Sequence, residues 1–494
     1  MARRTQNGLS LPASLVAIST LLICLLCGCG AATTVAASGS NTGNGGQSAA
    51  PVPGESTVVT VLLSSTANDE LADFRLSLGS LTLTDANGKS VTVFNGNNGS
   101  QLAEFMHSNS ILEPVMSVSI PQDVYTSAAL TFSNPQFTFV TYNAGYIYFN
   151  TDLSMGGSGF APAAVSLPGG ITVSGTSMAL VVDSEVSQSV SMSGSPQQND
   201  FSSSVAPQFS ITPEALSQGA QDTVSSPQVN TFREISSLQA SASGEGSLVL
   251  TSPSGNTLTI ASDSSTVYQG VGGYASLSPG MFADVDIAMQ PDGTLLATRV
   301  EVPDTTARDL VTGPVFNINP SAGIFNLVGE REQGQDFSSG FRSGGMALQF
   351  TGNTEFLIDG EFQAPQGLPF TPGFDRNSVV AGQDVAVTSG SIPLSGPYPT
   401  VTTVTLLPQT VDGTVDSVSS SNGFQVYQLS LASYDPLSTT RGRVSLEVYV
   451  SSQTRMLNTT SIEAGEVLRF HGMVFSDQGS LRMIADQVND GVAE

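Results

Sequence analysis

Positive charge is scarce in this sequence. Among 494 residues there are 15 basic and 41 acidic side chains, Lys89 is the single lysine, and the formal net charge is -26. A protein that binds nucleic acid needs a dense patch of Lys and Arg to neutralise phosphates. We therefore expect no nucleic-acid partner.

Tryptophan is absent, and histidine and cysteine are rare. The chain has two His, His107 and His471, and three Cys. Nucleophilic catalysis by Ser or Cys needs a base within reach, and zinc, copper and haem sites commonly use His and Cys ligands. We expect His107 to end a short helix and His471 to lie at the surface, on the strand face of Arg469. The sequence thus predicts a non-catalytic protein without a cofactor.

The acidic residues leave two alternatives open. Oxygen ligands for calcium are plentiful, but Asp284 with Asp286 on one strand face, and Asp412 with Asp416 around a turn, do not match a calcium-binding helix-loop-helix. We expect both pairs to be solvated. A hydrolase that uses two carboxylates also stays open, because the separation of such a pair is spatial rather than sequential. The absence of Trp argues against a sugar-stacking cleft.

The N-terminus has the pattern of an export signal. Arg3 and Arg4 precede an apolar run at 15–26, too short for a comfortable membrane span. The run ends in Leu-Cys-Gly-Cys at 26–29, which resembles the bacterial lipobox. The resemblance implies that residues 1–28 are a signal peptide and that Cys29 carries the lipid. An uncleaved N-terminal anchor and conventional cleavage past Cys29 are the alternatives.

A tether is expected after the signal. Residues 29–56 are rich in Ala, Thr, Ser, Asn and Gly and show no apolar periodicity, which is typical of a flexible linker. The chain would then attach to the membrane through acyl chains, because anionic lipid repels so acidic a protein. By resemblance to enterobacterial sorting, Gly30 rather than Asp after the cysteine indicates the outer membrane.

The body of the chain has the period of β-strands. Apolar residues alternate in segments such as Val59-Thr60-Val61, and Asn87-Gly88 before another alternating run indicates a tight hairpin. Short strands separated by Gly, Ser, Asn and Pro turns are typical of sandwiches and barrels. We therefore predict an all-β protein, with a β-sandwich over 57–225.

A weak repeat follows the predicted sandwich. Its three units span 230–305, 308–410 and 411–492, a length typical of tandem domains rather than of solenoid repeats. In each unit a Thr-containing strand leads to an apolar–x–Gly turn and two further strands. The Thr and Gly positions are Thr266 and Gly280, Thr354 and Gly382, and Thr454 and Gly465.

Two resemblances support this division. The three units resemble a small β-barrel domain of unknown function that is often tandem in exported bacterial proteins, and residues 292–301 of the first unit match its closing motif best. Residues 57–220 resemble an uncharacterised lipoprotein β-sandwich domain with a Pro-x-x-x-Tyr-Thr element, here at 121–126. Together they imply an N-terminal β-sandwich followed by three tandem small β-barrel-like domains. Neither family supplies a catalytic residue.

Two insertions in the second unit, 330–345 and 360–377, carry an excess of aromatic residues. Loops usually expose polar side chains, and functional surfaces concentrate on loops. We predict a binding surface here; the alternative is that the rings plug a barrel end or seal a contact with a neighbouring domain. The residues are Phe337, Phe341, Phe362, Phe370 and Phe374.

These observations favour a lipid-anchored, non-catalytic cell-envelope protein that presents β-domains for binding or scaffolding. Its expected partners are the membrane, through the acyl chains, and an envelope protein or polymer. A carboxylate-based hydrolase of extracellular polymers and a calcium-stabilised adhesion module are the alternatives.

Overall fold

Extended strands dominate the structure, a computed structural model. Its described residues form 32 β-strands and two short α-helices, α1 (Val186–Ser189) and α2 (Pro436–Arg441), so the all-β prediction is confirmed. Neither helix of the described part has the length and apolar character to cross a membrane. The structure describes residues 50–66, 71–95, 101–106, 111–143, 146–151, 160–193, 202–214, 228–241, 245–252, 255–334, 345–390, 398–431, 435–441, 445–457, 459 and 461–489.

From Gly46 onward the chain forms one compact unit, and all that follows concerns this unit. Four of the residues singled out from the sequence lie outside the described residues. They are Cys29, His107, Phe337 and Phe341.

The N-terminal part has two packed sheets. One sheet runs in the order β5-β1-β11-β14-β9; its strands are β1 (Ser56–Thr66), β5 (Ile111–Pro121), β9 (Ala164–Ser166), β11 (Ser177–Glu185) and β14 (Gln208–Glu214). The other has the order β10-β6-β2-β3, with β4, β7 and β8 at its sides; its strands are β2 (Asp73–Asp85), β3 (Ser90–Asn95), β4 (Gln101–Glu104), β6 (Asp123–Asn143), β7 (Tyr146–Thr151), β8 (Ala161–Pro162) and β10 (Ile171–Val173). A separate two-stranded sheet pairs β12 (Val190–Ser193) with β13 (Ser202–Val205).

Strand β1 is buried on both of its faces. Val59, Val61 and Leu63 point into the core between the two sheets, whereas Leu62 belongs to the core of the following unit. A strand covered on both faces needs a nearly continuous apolar run, and the Val-Leu-Leu at 61–63 supplies it. One face of the β1 sheet therefore packs in the core of the sandwich, and its other face packs against the first repeat unit.

The first repeat unit is a ring of five strands. The order is β16-β17-β20-β19-β15, and β15 pairs back with β16. Parallel pairing of Gln228 and Val229 with β5 joins this ring to the sandwich sheet. The strands are β15 (Gln228–Ala240), β16 (Gly246–Thr251), β17 (Thr257–Ala261), β18 (Val267–Gln269), β19 (Phe282–Met289) and β20 (Leu295–Glu301).

The third unit is a closed barrel and the second is a more open version of it. The barrel order is β28-β29-β30-β32-β31, with β28 (Gln409–Ser421), β29 (Phe424–Leu431), β30 (Ser445–Leu457), β31 (Val467–Asp477) and β32 (Ser480–Asn489). The second unit has the order β24-β22-β21-β26-β27-β25 with β23 beside β21, and its strands are β21 (Asp309–Asn319), β22 (Ile324–Val328), β23 (Arg331–Gly334), β24 (Gly345–Gln349), β25 (Glu355–Ile358), β26 (Asp384–Ser389) and β27 (Thr403–Leu406).

The repeated glycine has the same structural role in all three units. Its φ is +92°, +93° and +97° in turn, a conformation that residues with a Cβ rarely adopt. Its N–H donates to a carbonyl where the first strand of the unit bulges. The pairs are Gly280 to Ile235 at 2.8 Å, Gly382 to Val315 at 2.5 Å and Gly465 to Val415 at 2.8 Å.

The repeated threonine is also equivalent between units. In each unit its hydroxyl donates a hydrogen bond of 2.8 Å to a backbone carbonyl in or next to the last strand of the unit. The pairs are Thr266 to the carbonyl of Ala297, Thr354 to that of Val401 and Thr454 to that of Ala485. The Thr and Gly positions of the sequence repeat thus mark the same two points of one strand arrangement.

Candidate functional site

A cleft of 590 Å³ lies where the three repeat units meet. Its wall from the first unit comes from β19 and β20, its wall from the second unit is the segment after β25, and its wall from the third unit comes from β30, β31 and β32. The polar lining residues are Asp286, Thr298, Asp359, Glu361, Gln363, Ser451, Gln453, Thr454, Arg455 and Asp486.

Arg299 organises the first wall. It lies on β20 directly opposite Asp286 of β19, and its Nε donates to that carboxylate at 2.6 Å. Its Nη1 donates to Glu301, and its Nη2 to Asp284 at 3.2 Å. Asn230 Nδ2 lies 2.7 Å from both Asp284 and Asp286. One guanidinium and one amide thus hold three carboxylates on neighbouring strands, as cross-strand pairing allows.

The second wall is held against this cluster by backbone contacts. The N–H of Gly360 donates to Glu301 Oε2 at 2.9 Å, and Gln269 Nε2 donates to the carbonyl of Gly360 at 3.2 Å. A Cβ on Gly360 would lie 1.9 Å from Gln269 Oε1 and 2.3 Å from Glu301 Oε2, so a larger residue would displace the two side chains that hold this segment. This contact brings Asp359 and Glu361 to 3.9 and 3.7 Å from Arg299 Nη2.

Five carboxyl groups surround one guanidinium, and this imbalance shifts their pKa values. Burial, followed by the charge of Asp284, raises the pKa of Asp359 to about 8. Burial and a hydrogen bond to Asp286 raise the pKa of Glu361 well above its usual range. Although burial opposes it, the charges of Asp284 and Asp286 raise the pKa of Arg299. The arginine therefore stays charged and Asp359 holds its proton near neutral pH, while the hydrogen bond to Asp286 favours the protonated form of Glu361.

The same cluster of carboxylates has to be compared with a metal-binding site. Carboxylate oxygens of Asp284, Glu301 and Asp359 lie within 4.8 Å of one another. The Arg299 guanidinium approaches all three, at contact distance for the first two and at 3.9 Å for Asp359. The protein's own cation thus occupies the position where these oxygens converge.

Three of the four aspartates expected to be solvated are buried, and that prediction was wrong for them. Asp284 and Asp286 are each 8% exposed, because Arg299 and the second wall cover their strand face. Asp412 is 5% exposed and pairs with Arg469 Nε at 3.0 Å on the opposite strand. Asp416 is exposed as predicted. The sequence offered no signal for the covering segment.

His471 also differs from its predicted surface position. It is 5% exposed, and its Nδ1 lies 2.7 Å from Asp486 Oδ1. Asp486 itself is half exposed and lines the cleft. Phe470 beside it points into the barrel core, so His471 lies on the outer face of β31; this face is covered by other parts of the body, which alternation alone could not show.

Of the three described Phe of the predicted binding loops, Phe362 and Phe370 pack between the second and third units. Phe362 lines the cleft, and its ring centroid lies 5.2 Å from that of Phe475. Phe370 lies 5.4 Å from Tyr449, and Phe374 is buried in the core of the second unit. These contacts match the alternative stated above, in which the rings seal a contact with a neighbouring domain. A role of these rings in binding a partner stays a prediction.

Comparison with known proteins bears on the first unit. Residues 234–301 match a domain of unknown function, DUF5666. The match runs from β15 to the end of β20 and includes Arg299 and Glu301. It agrees with the expectation that this unit resembles a domain of unknown function. No curated protein matches the chain.

Proposed function

We propose that this protein is a non-catalytic, lipid-anchored component of the cell envelope whose all-β body binds or scaffolds other envelope components. The anchor is supported by the export pattern and the Leu-Cys-Gly-Cys at 26–29. The Gly30 that follows favours the outer membrane in a Gram-negative organism. Binding partners would be envelope proteins or polymers.

The observation that carries the scaffolding role is a buried ion-pair junction between three parts of the body. Glu113 of β5 accepts from Arg233 of the first unit at 3.0 Å and lies 2.9 Å from Arg331 of the second unit. Arg331 and Gln333 also donate to the carbonyl of Phe232, at 2.9 and 2.7 Å. Buried charges are tolerated only when their partners are correctly placed, so this junction fixes the parts in one arrangement.

A fixed arrangement suits presentation of a surface better than a hinge would. The parts share sheet surface, hydrogen bonds and charge pairs, so they hold a constant geometry beyond the proposed tether. A tethered body of this kind can search the space near the membrane while it keeps its binding face intact. The shared cleft is one such face.

A carboxylate-based hydrolase is the second candidate. Glu361, hydrogen-bonded to Asp286, lies in the cleft, and cleft carboxyls with raised pKa values are typical of acid–base sites. Turnover of a polysaccharide or peptide panel that Glu361→Gln abolishes would favour this candidate. Absence of turnover would favour the binding role.

Replacing Cys29 tests the anchor. Cys29→Ala should remove fatty-acid labelling of the protein in growing cells, because only a thiol at this position accepts the diacylglycerol group. The protein should then fractionate as soluble material or as unprocessed precursor. Cys24→Ala, within the apolar run, is the matched control and should keep its label. Continued labelling of Cys29→Ala would show that the lipid is attached elsewhere.

A further inference from the structure

The cleft between the repeat units has an excess of acidic over basic residues and substantial apolar walls. Arg455 is the only positively charged residue among the lining residues, all of which belong to the described part of the chain. Against it stand Asp286, Asp359, Glu361 and Asp486. The apolar lining consists of Val229, Ile287, Ala288, Phe362, Pro365, Pro408, Met473, Ile484 and Ala485.

The size and construction of the cleft are those of a small-molecule site. Its 590 Å³ falls within the range of about 300–1,000 Å³ that is usual for ligand pockets. Two walls come from closed rings of strands, and Gly360 fixes the third wall against Glu301 and Gln269. The lining groups are therefore held in place before any ligand enters.

We propose that this cleft binds a small alkylammonium ion. Its charged end would lie between the carboxyl groups of Asp286 and Glu361, and its methylene stem would lie along Phe362 and Met473. Ammonium groups donate up to three hydrogen bonds and pair well with carboxylates, while an aliphatic stem gains by leaving water. The acidic groups of the cleft match the charged end of such a ligand, and the apolar walls match its methylene stem.

A divalent metal ion fits this cleft less well. Calcium takes six to eight oxygen ligands around one point, and the apolar walls of the cleft offer none. The tightest group of carboxylate oxygens, on Asp284, Glu301 and Asp359, already surrounds Arg299. An alkylammonium ion needs only two or three acceptors on one side, which Asp286 and Glu361 supply.

Binding of a cation here is coupled to release of a proton. The pKa of Asp359 is raised to about 8 and that of Glu361 is raised above its usual range, and a positive charge beside a carboxyl favours its ionised form. The affinity must therefore increase as pH rises towards 8. The ionisable groups around these two carboxyls are Asp284, Asp286, Arg299 and Glu301 from the first unit and, across the cleft, Arg455 and Asp486 from the third.

Calorimetric titration of the full-length protein with 1,5-diaminopentane tests the proposal. We expect a dissociation constant below about 1 mM. The affinity should rise by about tenfold or more from pH 6 to pH 8.5. The measured heat should depend on the ionisation enthalpy of the buffer, because protons are released. Melting curves in each buffer verify that the protein is folded.

Matched ligands and variants complete the test. Glu361→Gln, in a segment outside the strands, should weaken binding by about tenfold or more, whereas Glu355→Gln, an exposed carboxylate on β25, should leave it unchanged. Pentane-1,5-diol, which has the same length and no charge, should not bind. Absence of diamine binding, equal binding of the diol, equal affinity of the two variants, or binding of Ca²⁺ in place of the diamine would overturn the proposal.

This inference deepens the proposed function and rests on it only for the claim that the body binds a ligand. The titration does not depend on acylation, and fatty-acid labelling does not depend on the cleft. The two proposals can therefore fail separately.

Discussion

Arg299 is the residue on which the charge balance of the cleft depends. Arg299→Gln would leave Asp284, Asp286 and Glu301 close together and largely buried without their cation. Breaking a buried ion pair by removing one partner costs about 3–5 kcal/mol. We expect a loss of this order in urea unfolding at pH 8 and a smaller loss at pH 5, where protonation relieves the repulsion.

The exposed Arg308 provides the comparison for this substitution. Arg308→Gln should change the free energy of unfolding by no more than about 0.5 kcal/mol at either pH, as is usual for surface substitutions. Similar losses in both variants, or a loss in Arg299→Gln that does not vary with pH, would contradict the assigned role of Arg299.

At this scale the sequence revealed only part of the site. Alternation correctly placed Asp284 and Asp286 on one face of a strand. It could not show that Arg299, 13 residues further on, would lie directly opposite Asp286, or that Gly360 would bring Asp359 and Glu361 over the same face. Burial of a strand face depends on segments that are distant in the chain. The alternation of apolar and polar residues along a strand does not predict which distant segments cover it.

At the scale of elements, turn residues were the best guide. Gly280 and its equivalents have a positive φ that favours glycine, and Thr266 and its equivalents make the same hydrogen bond across the unit. Because these two structural requirements select particular residue types, the repeat could be found without an alignment. Strand pairing was harder to foresee. The ring of the first unit closes between β17 and β20 through Ala261 and Leu296 alone, a contact between segments that no turn joins.

The segment 360–377 yields a prediction about stability. Phe370 packs against Tyr449, and Arg482 lies 4.9 Å above its ring centroid. Phe370→Ala should therefore lower the free energy of unfolding by up to about 3 kcal/mol, less than for a fully buried ring. Thermal melting measures the change.

Phe160, which is half exposed, is the matched control. Phe160→Ala should lower the melting temperature less than Phe370→Ala does. An unchanged melting temperature in Phe370→Ala, together with lost association with the cell envelope, would instead support the predicted binding surface. A large decrease with association intact would establish that this ring is part of the core.

At the scale of the whole molecule, the acidic composition has two different consequences. Exposed carboxylates keep the body soluble and make it repel anionic surfaces. Some buried carboxyls pair with arginine: Glu113 contacts Arg233 and Arg331 of two repeat units, and Asp412 lies 3.0 Å from Arg469 in the third unit. With 15 basic side chains against 41 acidic ones, arginine cannot neutralise every buried acid, and the remainder hold protons.

This imbalance predicts that the protein is more stable in weak acid than in weak base. Burial raises the pKa of Asp73, Asp359 and Asp435 to about 8, and that of Asp384 to about 7, from 3.8. Between these values the folded chain binds more protons than the unfolded chain, so the free energy of unfolding falls as pH rises. Hydrogen-bonded carboxylates such as Asp304, whose pKa is lowered, lose their contribution only below about pH 4.

Melting temperatures from pH 4 to pH 9 should accordingly be highest near pH 4 and fall steadily to about pH 8, where the folded carboxyls have ionised. Asp435, which is 2% exposed and accepts from the N–H of Leu437 at 2.8 Å, isolates one contribution. Asp435→Asn keeps an acceptor for that bond and removes the titrating proton, so its melting temperature should fall less steeply between pH 4 and pH 8 than that of the parent protein. A parent protein whose stability rises from pH 5 to pH 8 would mean that these carboxyls are ionised and paired in the folded state, and the excess of buried acid over arginine would then have to be balanced by cations from solution.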